Sequence, residues 1–172
     1  EGAGTKVGLQ IGIDIIFFDG EDYGQPNDET PRKKDTWCLG SQYWARNLHK
    51  KDYYAKIAIL LDMIGAKGAK FAMEGTSRHF APNVVKKVWG TANRLGYSDY
   101  FWYYESPEIV DDHTYINHLT KIKMIDIIEH DPEGDSYFGS YWHTHQDNMD
   151  IIDKRTLKAV GQTLVEVIYR ER

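Results

Sequence analysis

Ionisable residues of this chain gather in four places. Asp19, Glu21 and Asp22 follow one apolar run, and Asp62 follows a second. Asp111, Asp112 and His113 lie beyond a third, and His143 precedes the last helical pattern. Carboxylates with a histidine suit a hard or borderline divalent cation. The adjacent pair Glu21-Asp22 allows a division of labour in which one carboxylate binds metal and the other moves protons. Taken singly, such acids are more often turn formers or helix caps, and a lone His143 is more often structural. It is the joint arrangement that points to a site.

The elements that must position these groups can be read from periodicity. Residues 11–18, Ile-Gly-Ile-Asp-Ile-Ile-Phe-Phe, form a short apolar run closed by Asp19-Gly20 and predict a buried strand. Residues 24–36 carry Gly, Pro, Asn and Asp without apolar period and predict a surface loop. Asp35 is expected to cap a helix to about Lys50, with Trp37, Tyr43, Trp44 and Leu48 inward. Further strands are expected over 56–61, 69–73, 100–104 and 123–128. Pro82 opens a helix to about Leu95, ended by Gly96. A terminal helix spans 153–170, with Leu157, Val160, Leu164, Val167 and Ile168 inward. Strands alternating with helices predict an α/β fold, a three-layer αβα sandwich with a mixed, mostly parallel central sheet. In such sheets, sites form outside the carboxyl ends of the strands, where these acids fall.

The 172 residues suit one domain over 1–172. The formal net charge is -5, and Arg32-Lys33-Lys34 is offset by Asp28, Glu29 and Asp35, which argues against nucleic-acid binding. With Cys38 as the sole cysteine, neither an intrachain disulfide nor a cysteine zinc cage can form. No apolar run reaches the length of a membrane span, and no signal peptide is visible. The chain starts at Glu1 rather than Met, which suits a processed or trimmed product.

Four segments together resemble the glutaminyl cyclases and their zinc aminopeptidase relatives. They are Ile16-Phe17-Phe18-Asp19-Gly20-Glu21-Asp22, Leu60-Leu61-Asp62-Met63-Ile64-Gly65, Val110-Asp111-Asp112-His113 and Tyr141-Trp142-His143-Thr144, in the family's order. The resemblance covers about residues 11–170. It implies that Glu21 is the general acid/base and that Asp22 and His143 are zinc ligands, although cyclases commonly have Glu at the Asp22 position. Asp62 matches a residue that binds a second zinc in two-metal aminopeptidases and hydrogen-bonds within the site of single-zinc cyclases. Asp111 matches a carboxylate of the same proton network, and Trp142 and Phe138 match aromatic residues lining the substrate pocket. The implied cofactor is zinc, the implied substrates are peptide or protein N-termini, and the implied location is secreted or periplasmic.

Two departures from the family follow. A bridging Asp precedes the first strand in the family, followed by small residues and a helix. Glu1-Gly-Ala-Gly-Thr5 resembles the small-residue run after that Asp, but the Asp and the helix are not in this chain. The domain is therefore expected to miss its N-terminal part, to hold zinc weakly and to be nearly inactive as given. The second departure is Asp126, where the animal cyclases carry a His in their hydrogen-bond network. The Phe138-x-x-x-Trp142-His143 spacing and the doubled Asp111-Asp112 favour cyclase over aminopeptidase, and a non-catalytic peptide-binding relative is a third reading. His145 is expected to have no role, His49, His79, His118 and His130 to be surface or capping residues, and Cys38 to be a buried small apolar residue. Trp37 can border the site from its loop.

Overall fold

A computed structural model describes residues 8–9, 11–25, 29–31, 33–131 and 137–171. The Glu1–Thr5 run lies outside the described residues. The order of elements is α1 (Leu39–Arg46), β1 (Ala58–Asp62), β2 (Phe71–Met73), α2 (Gly75–Phe80), α3 (Pro82–Arg94), β3 (Phe101–Glu105), α4 (Asp112–Leu119), β4 (Met124–Ile128) and α5 (Lys154–Arg170). A 3₁₀ turn at Met149–Ile151 leads into α5.

All strand pairing within named strands is parallel. β1 pairs with β4, Leu60 opposite Asp126 and Asp62 opposite Ile128, and β2 pairs with β3. The two pairs meet where Phe71 bridges Glu129 and the His130 amide donates to the Lys70 carbonyl at 2.8 Å. This is an α/β arrangement of parallel strands and helices, drawn as two strand pairs rather than one mixed sheet.

Alternation along β4 explains how helices attach to it. Ile125 and Ile127 enter a core with Phe71, Phe101, Val85, Val88, Trp89, Val160 and Val167, drawn from β2, β3, α3 and α5. Met124 joins a second cluster with Ala45 of α1, Ile116 of α4 and Ile122. Asp126 shares the parity of Met124, so a carboxylate is carried into the interior beside α4. Trp89 is fully buried, and its indole N–H donates to the Phe71 carbonyl at 3.2 Å, so burial leaves no donor unpaired. Pro82 begins α3, and Gly96 at φ +86° follows its last turn.

Four expectations need correction. Residues 11–18 form no strand: Ile15 is 77 % and Phe17 92 % exposed, because no neighbouring strand among the described residues offers the run a ladder. β1 is only partly buried, since β4 covers one edge and Leu61 points outward. The first helix begins at Leu39 rather than after Asp35 and ends at Arg46. Tyr43 faces solvent, while Ser41, Gln42 and Ala45 are the buried positions. In α5, Val160 and Val167 are buried as expected, but Leu157 is exposed. α2 and α4 did not declare themselves by apolar period, being six and eight residues long with polar buried positions.

Candidate active site

The loop carrying Glu21 and Asp22 is fastened to α1 through its backbone. The carbonyls of Asp19, Gly20 and Glu21 accept from the amides of Gly40, Leu39 and Cys38 at 3.0, 3.2 and 2.9 Å. These amides open α1, where N–H groups have no intrahelical acceptor, and Cys38 provides no side-chain cap. The acidic loop is thus the cap. Gly40 is required for the approach: a Cβ there would lie 2.4 Å from the Asp19 carbonyl oxygen.

Two other site residues sit beside or within left-handed backbone. Met63 (φ 48°) follows Asp62 and donates its amide to Asp62 Oδ1 at 2.8 Å. His143 itself has φ 57°. Such conformations in non-glycine residues cost about 1–3 kcal/mol and persist where surrounding contacts fix them. For His143 those contacts are Asp22 Oδ1, 2.9 Å from Nε2, and two indoles. Trp142 stacks on its ring at 3.9 Å between centroids and Trp37 lies nearly parallel at 6.3 Å. Phe138 extends the aromatic wall, 4.9 Å from Trp142.

Asp111 is the N-cap of α4 in a capping box with Thr114, and Oδ1 accepts from the Asp112 amide. Behind it, His113 is fully buried between Glu74 (Nε2 to Oε1, 3.1 Å) and Asp126 (Nδ1 to Oδ2, 3.6 Å). Crowding of acids sets the protonation of the region. Burial pushes Glu21 up to about 8, helped by its hydrogen bond with Asp22 and the charges of Asp111, Asp22 and Asp62. Burial, then the charge of Asp111, raises Asp62 to about 7. Asp112 rises to about 6 by burial, against the hydrogen bond from Ser41.

All seven candidate residues (Glu21, Asp22, Asp62, Asp111, Phe138, Trp142 and His143) line one cleft of about 640 Å³. His145 does not line it. His130 does, and is 2 % exposed, contrary to its reading as a surface or capping residue. Its burial follows from the backbone bond to Lys70, a register effect that no sequence pattern carries. Sequence reading also missed Glu74, whose carboxylate caps α2 through the amides of Thr76 and Ser77; the Glu-x-Thr-Ser spacing was the available signal. Cys38 is buried as expected but lies against the site, with Sγ 3.6 Å from Glu21 Oε1. Burial and the neighbouring Asp112, Asp111 and Glu21 drive its thiol far up, which favours the protonated form.

The Peptidase family M28 model matches residues 3–168, and the chain belongs to that family. Among solved structures, it is similar to Bacteroides thetaiotaomicron glutaminyl cyclase bound to N-acetylhistamine, with 53 % identity over 95 % of this chain and 56 % of that one, TM-score 0.91. Tannerella forsythia glutaminyl cyclase is 51 % identical over 91 % of this chain and 54 % of its own, TM-score 0.85. A Zn-dependent exopeptidase from Parabacteroides distasonis is 50 % identical over 90 % and 53 %, TM-score 0.86. The chain therefore spans about half the length of these structures. A comparison with curated proteins finds no match.

Proposed function

We propose that this chain carries the zinc-binding, proton-transferring part of a glutaminyl cyclase, which turns an N-terminal Gln into pyroglutamate with release of ammonia. The observation that carries the reading is the Asp22–His143 pair at 2.9 Å, walled by Trp142, Phe138 and Trp37 and flanked by Glu21. The similarity to two glutaminyl cyclases supports it. So do the helices on either side of β4, α3 and α5 packing with Ile125 and Ile127 and α1 and α4 with Met124.

The donor set fits zinc. Asp22 offers an anionic oxygen and His143 a ring nitrogen, and two ligands on one tetrahedral zinc lie about 3.3 Å apart, close to the observed separation. These are two of the three protein ligands a catalytic zinc usually takes. When bound, zinc supplies Lewis-acid polarisation of the substrate's side-chain amide carbonyl.

The chain's own groups do the rest. Glu21, held near neutral pH, takes a proton from the substrate α-amine as its nitrogen bonds to the side-chain amide carbon. The same proton goes to the departing nitrogen as that carbon–nitrogen bond breaks, so ammonia leaves and no water is consumed. Asp62 and Asp111 hold Glu21's proton affinity up by their charge. Trp142 and Phe138 enclose the Gln side chain in an apolar slot. Substrates are peptide or protein N-termini, met in a secreted or periplasmic setting.

Aminopeptidase activity is the second reading, favoured by Asp62, which lines the cleft with Asp111 and offers carboxylate oxygens for a second ion. Ammonia release from Gln-initiated peptides, measured with zinc beside cleavage of Leu-initiated chromogenic substrates, separates the two. Cyclisation without Leu cleavage is expected; Leu cleavage alone would replace the proposal with its rival.

A further inference from the structure

Behind the cleft, four polar atoms face one another with no donor between them. Asp126 Oδ1 and Oδ2, Asp111 Oδ2 and His113 Nδ1 all lack a hydrogen-bond partner among the described residues. All are sealed: Asp126 and His113 are 0 % exposed and Asp111 is 4 %. One ligand atom from each of the three residues lies within 4.8 Å of the others. Two carboxylates in that position, both ionised, would each lose several kcal/mol of hydration and repel each other. Something positive must sit there, either a cation or a proton.

The surroundings decide between them. Glu74 accepts from the amides of Thr76, Ser77 and Ile109, so it is an ionised acceptor, and His113 Nε2 must be the donor in their 3.1 Å contact. Burial works to raise the Glu74 carboxyl, and the His113 and Ser77 bonds outweigh it and hold it low. His113 Nδ1 is then free to accept. A metal ion held by Asp111, Asp126 and His113 would have three ligands, and none of those ligand atoms is exposed to the water that fills remaining positions. A proton needs neither.

We infer that Asp126 is a positioning residue that stays in its neutral acid form and donates its proton to Asp111, fixing that carboxylate as the anion beside Glu21. The carboxylates that face it, Asp111 at the start of α4, Asp62 at the end of β1 and Glu74 before α2, all favour the neutral acid, and His113 Nδ1, 3.6 Å away, faces it as an acceptor. The Ser77 hydroxyl oxygen of α2 accepts from the Asp126 amide at 2.8 Å and its side chain bonds Glu74, so neither Asp126 carboxylate oxygen has a partner. Burial, then the charges of Asp111, Asp62 and Glu74, drives its proton affinity well up. Of the two acids Asp126 is the more enclosed, which assigns the proton to it rather than to Asp111. The protonation state stands on geometry alone; only its consequence for Glu21 rests on the proposed function.

The test compares the chain with D126N by urea unfolding from pH 5 to 7. The amide is neutral and keeps a donor for Asp111. A raised folded-state affinity means the wild-type protein folds with one proton taken up. Its folding equilibrium constant therefore falls tenfold per pH unit across this window relative to D126N. Equal pH dependence of the two proteins would show Asp126 ionised and overturn the inference. Carbon-13 resonances of labelled aspartate side chains in the wild type give a second readout if D126N folds poorly. One carboxyl held at the protonated position across the window supports the inference, and none so held refutes it. A stoichiometric divalent ion retained by the wild type and lost in D126N would replace the proton with a metal. Absence of cyclase activity in the wild type, with the pH difference from D126N present, would count against the proposed function and leave this inference standing.

Discussion

Two glycine-to-alanine substitutions should move stability in opposite directions. Gly161 lies inside α5 on its exposed side, and nothing stands within 4 Å of a Cβ built there. Alanine at that position removes the conformational freedom of glycine and should stabilise by about 0.5–1 kcal/mol. Gly40 is also helical, so the same gain applies, but its Cβ would sit 2.4 Å from the carbonyl oxygen and 2.7 Å from the nitrogen of Asp19. Those atoms are backbone and cannot rotate away. Overpacking of this kind costs about 1–3 kcal/mol, so G40A should come out destabilised by roughly 0.5–2 kcal/mol. With a urea slope of about 1–3 kcal/mol per molar, the midpoints of the two variants should part by about 1 M. G40A also pushes the Asp19–Glu21 backbone off the start of α1, moving Asp22 relative to His143. Zinc binding should therefore weaken in G40A and stay unchanged in G161A, as read by calorimetry. If G40A matches G161A in both midpoint and zinc affinity, the capping role of the acidic loop is wrong.

Three further outcomes are expected. E21Q should lower the rate of ammonia release by about 10²–10⁴ while leaving zinc binding near that of the parent, since the proposed function gives Glu21 the proton transfer and the ligand roles to Asp22 and His143. H143A should reduce zinc binding, read by calorimetry, well below that of the parent, since the proposed function makes His143 a ligand beside Asp22. Glu171 gives an acid-limb prediction. Burial works to raise its carboxyl, but Lys87 and Lys56 outweigh that and hold it below its usual 4.5. A lowered folded-state affinity adds stability above pH 4.5 that is lost as pH falls through the folded value, so E171Q should flatten the acid side of the stability curve measured by denaturant unfolding.

What the sequence showed depended on whether a signal was local. β1, β2, β3, β4, α3 and α5 were readable from apolar runs and period within a few residues of their ends, because each buries one apolar face. The grouping of Asp22 with His143 was readable only through the order of four motifs, since 121 positions separate them. Residues 11–18 misled because alternation and apolarity describe what a strand would bury, and say nothing of whether a neighbour is there to pair with it. The start of α1 misled for a related reason: Asp35 has the chemistry of a cap, but the amides were already taken by the carbonyls of residues 19–21. The Glu74–His113 pair lies 39 residues apart, and nothing in either segment announces the other.

The same placements explain why one small region can hold so many acids. Asp62, Asp111 and Asp126 come from β1, the start of α4 and β4, three neighbouring elements whose ends or interiors converge behind Glu21. Asp62 and Asp111 are anchored by backbone amides (Met63 and Asp112) and Asp126 is fully enclosed, so none can swing out to solvent to relieve the crowding. Fixed like charges in a shielded site relax by taking up protons, and the most enclosed acid takes one first. Asp126 is fully enclosed, Asp111 nearly so, and Glu21 opens onto the cleft. Asp126 therefore holds the interior proton, while Glu21, raised to about 8 by burial and then by Asp22, Asp111 and Asp62, opens onto the cleft. A dication beside Asp22 would act on this series from the open end, lowering Glu21 most and Asp126 least, because Coulomb effects weaken with distance from the ion. Asp126 would keep its proton while Glu21 became the group free to exchange one. That separation of a fixed proton from a mobile one is what a single general acid/base needs when it must collect a proton at the amine and deliver it at the leaving nitrogen.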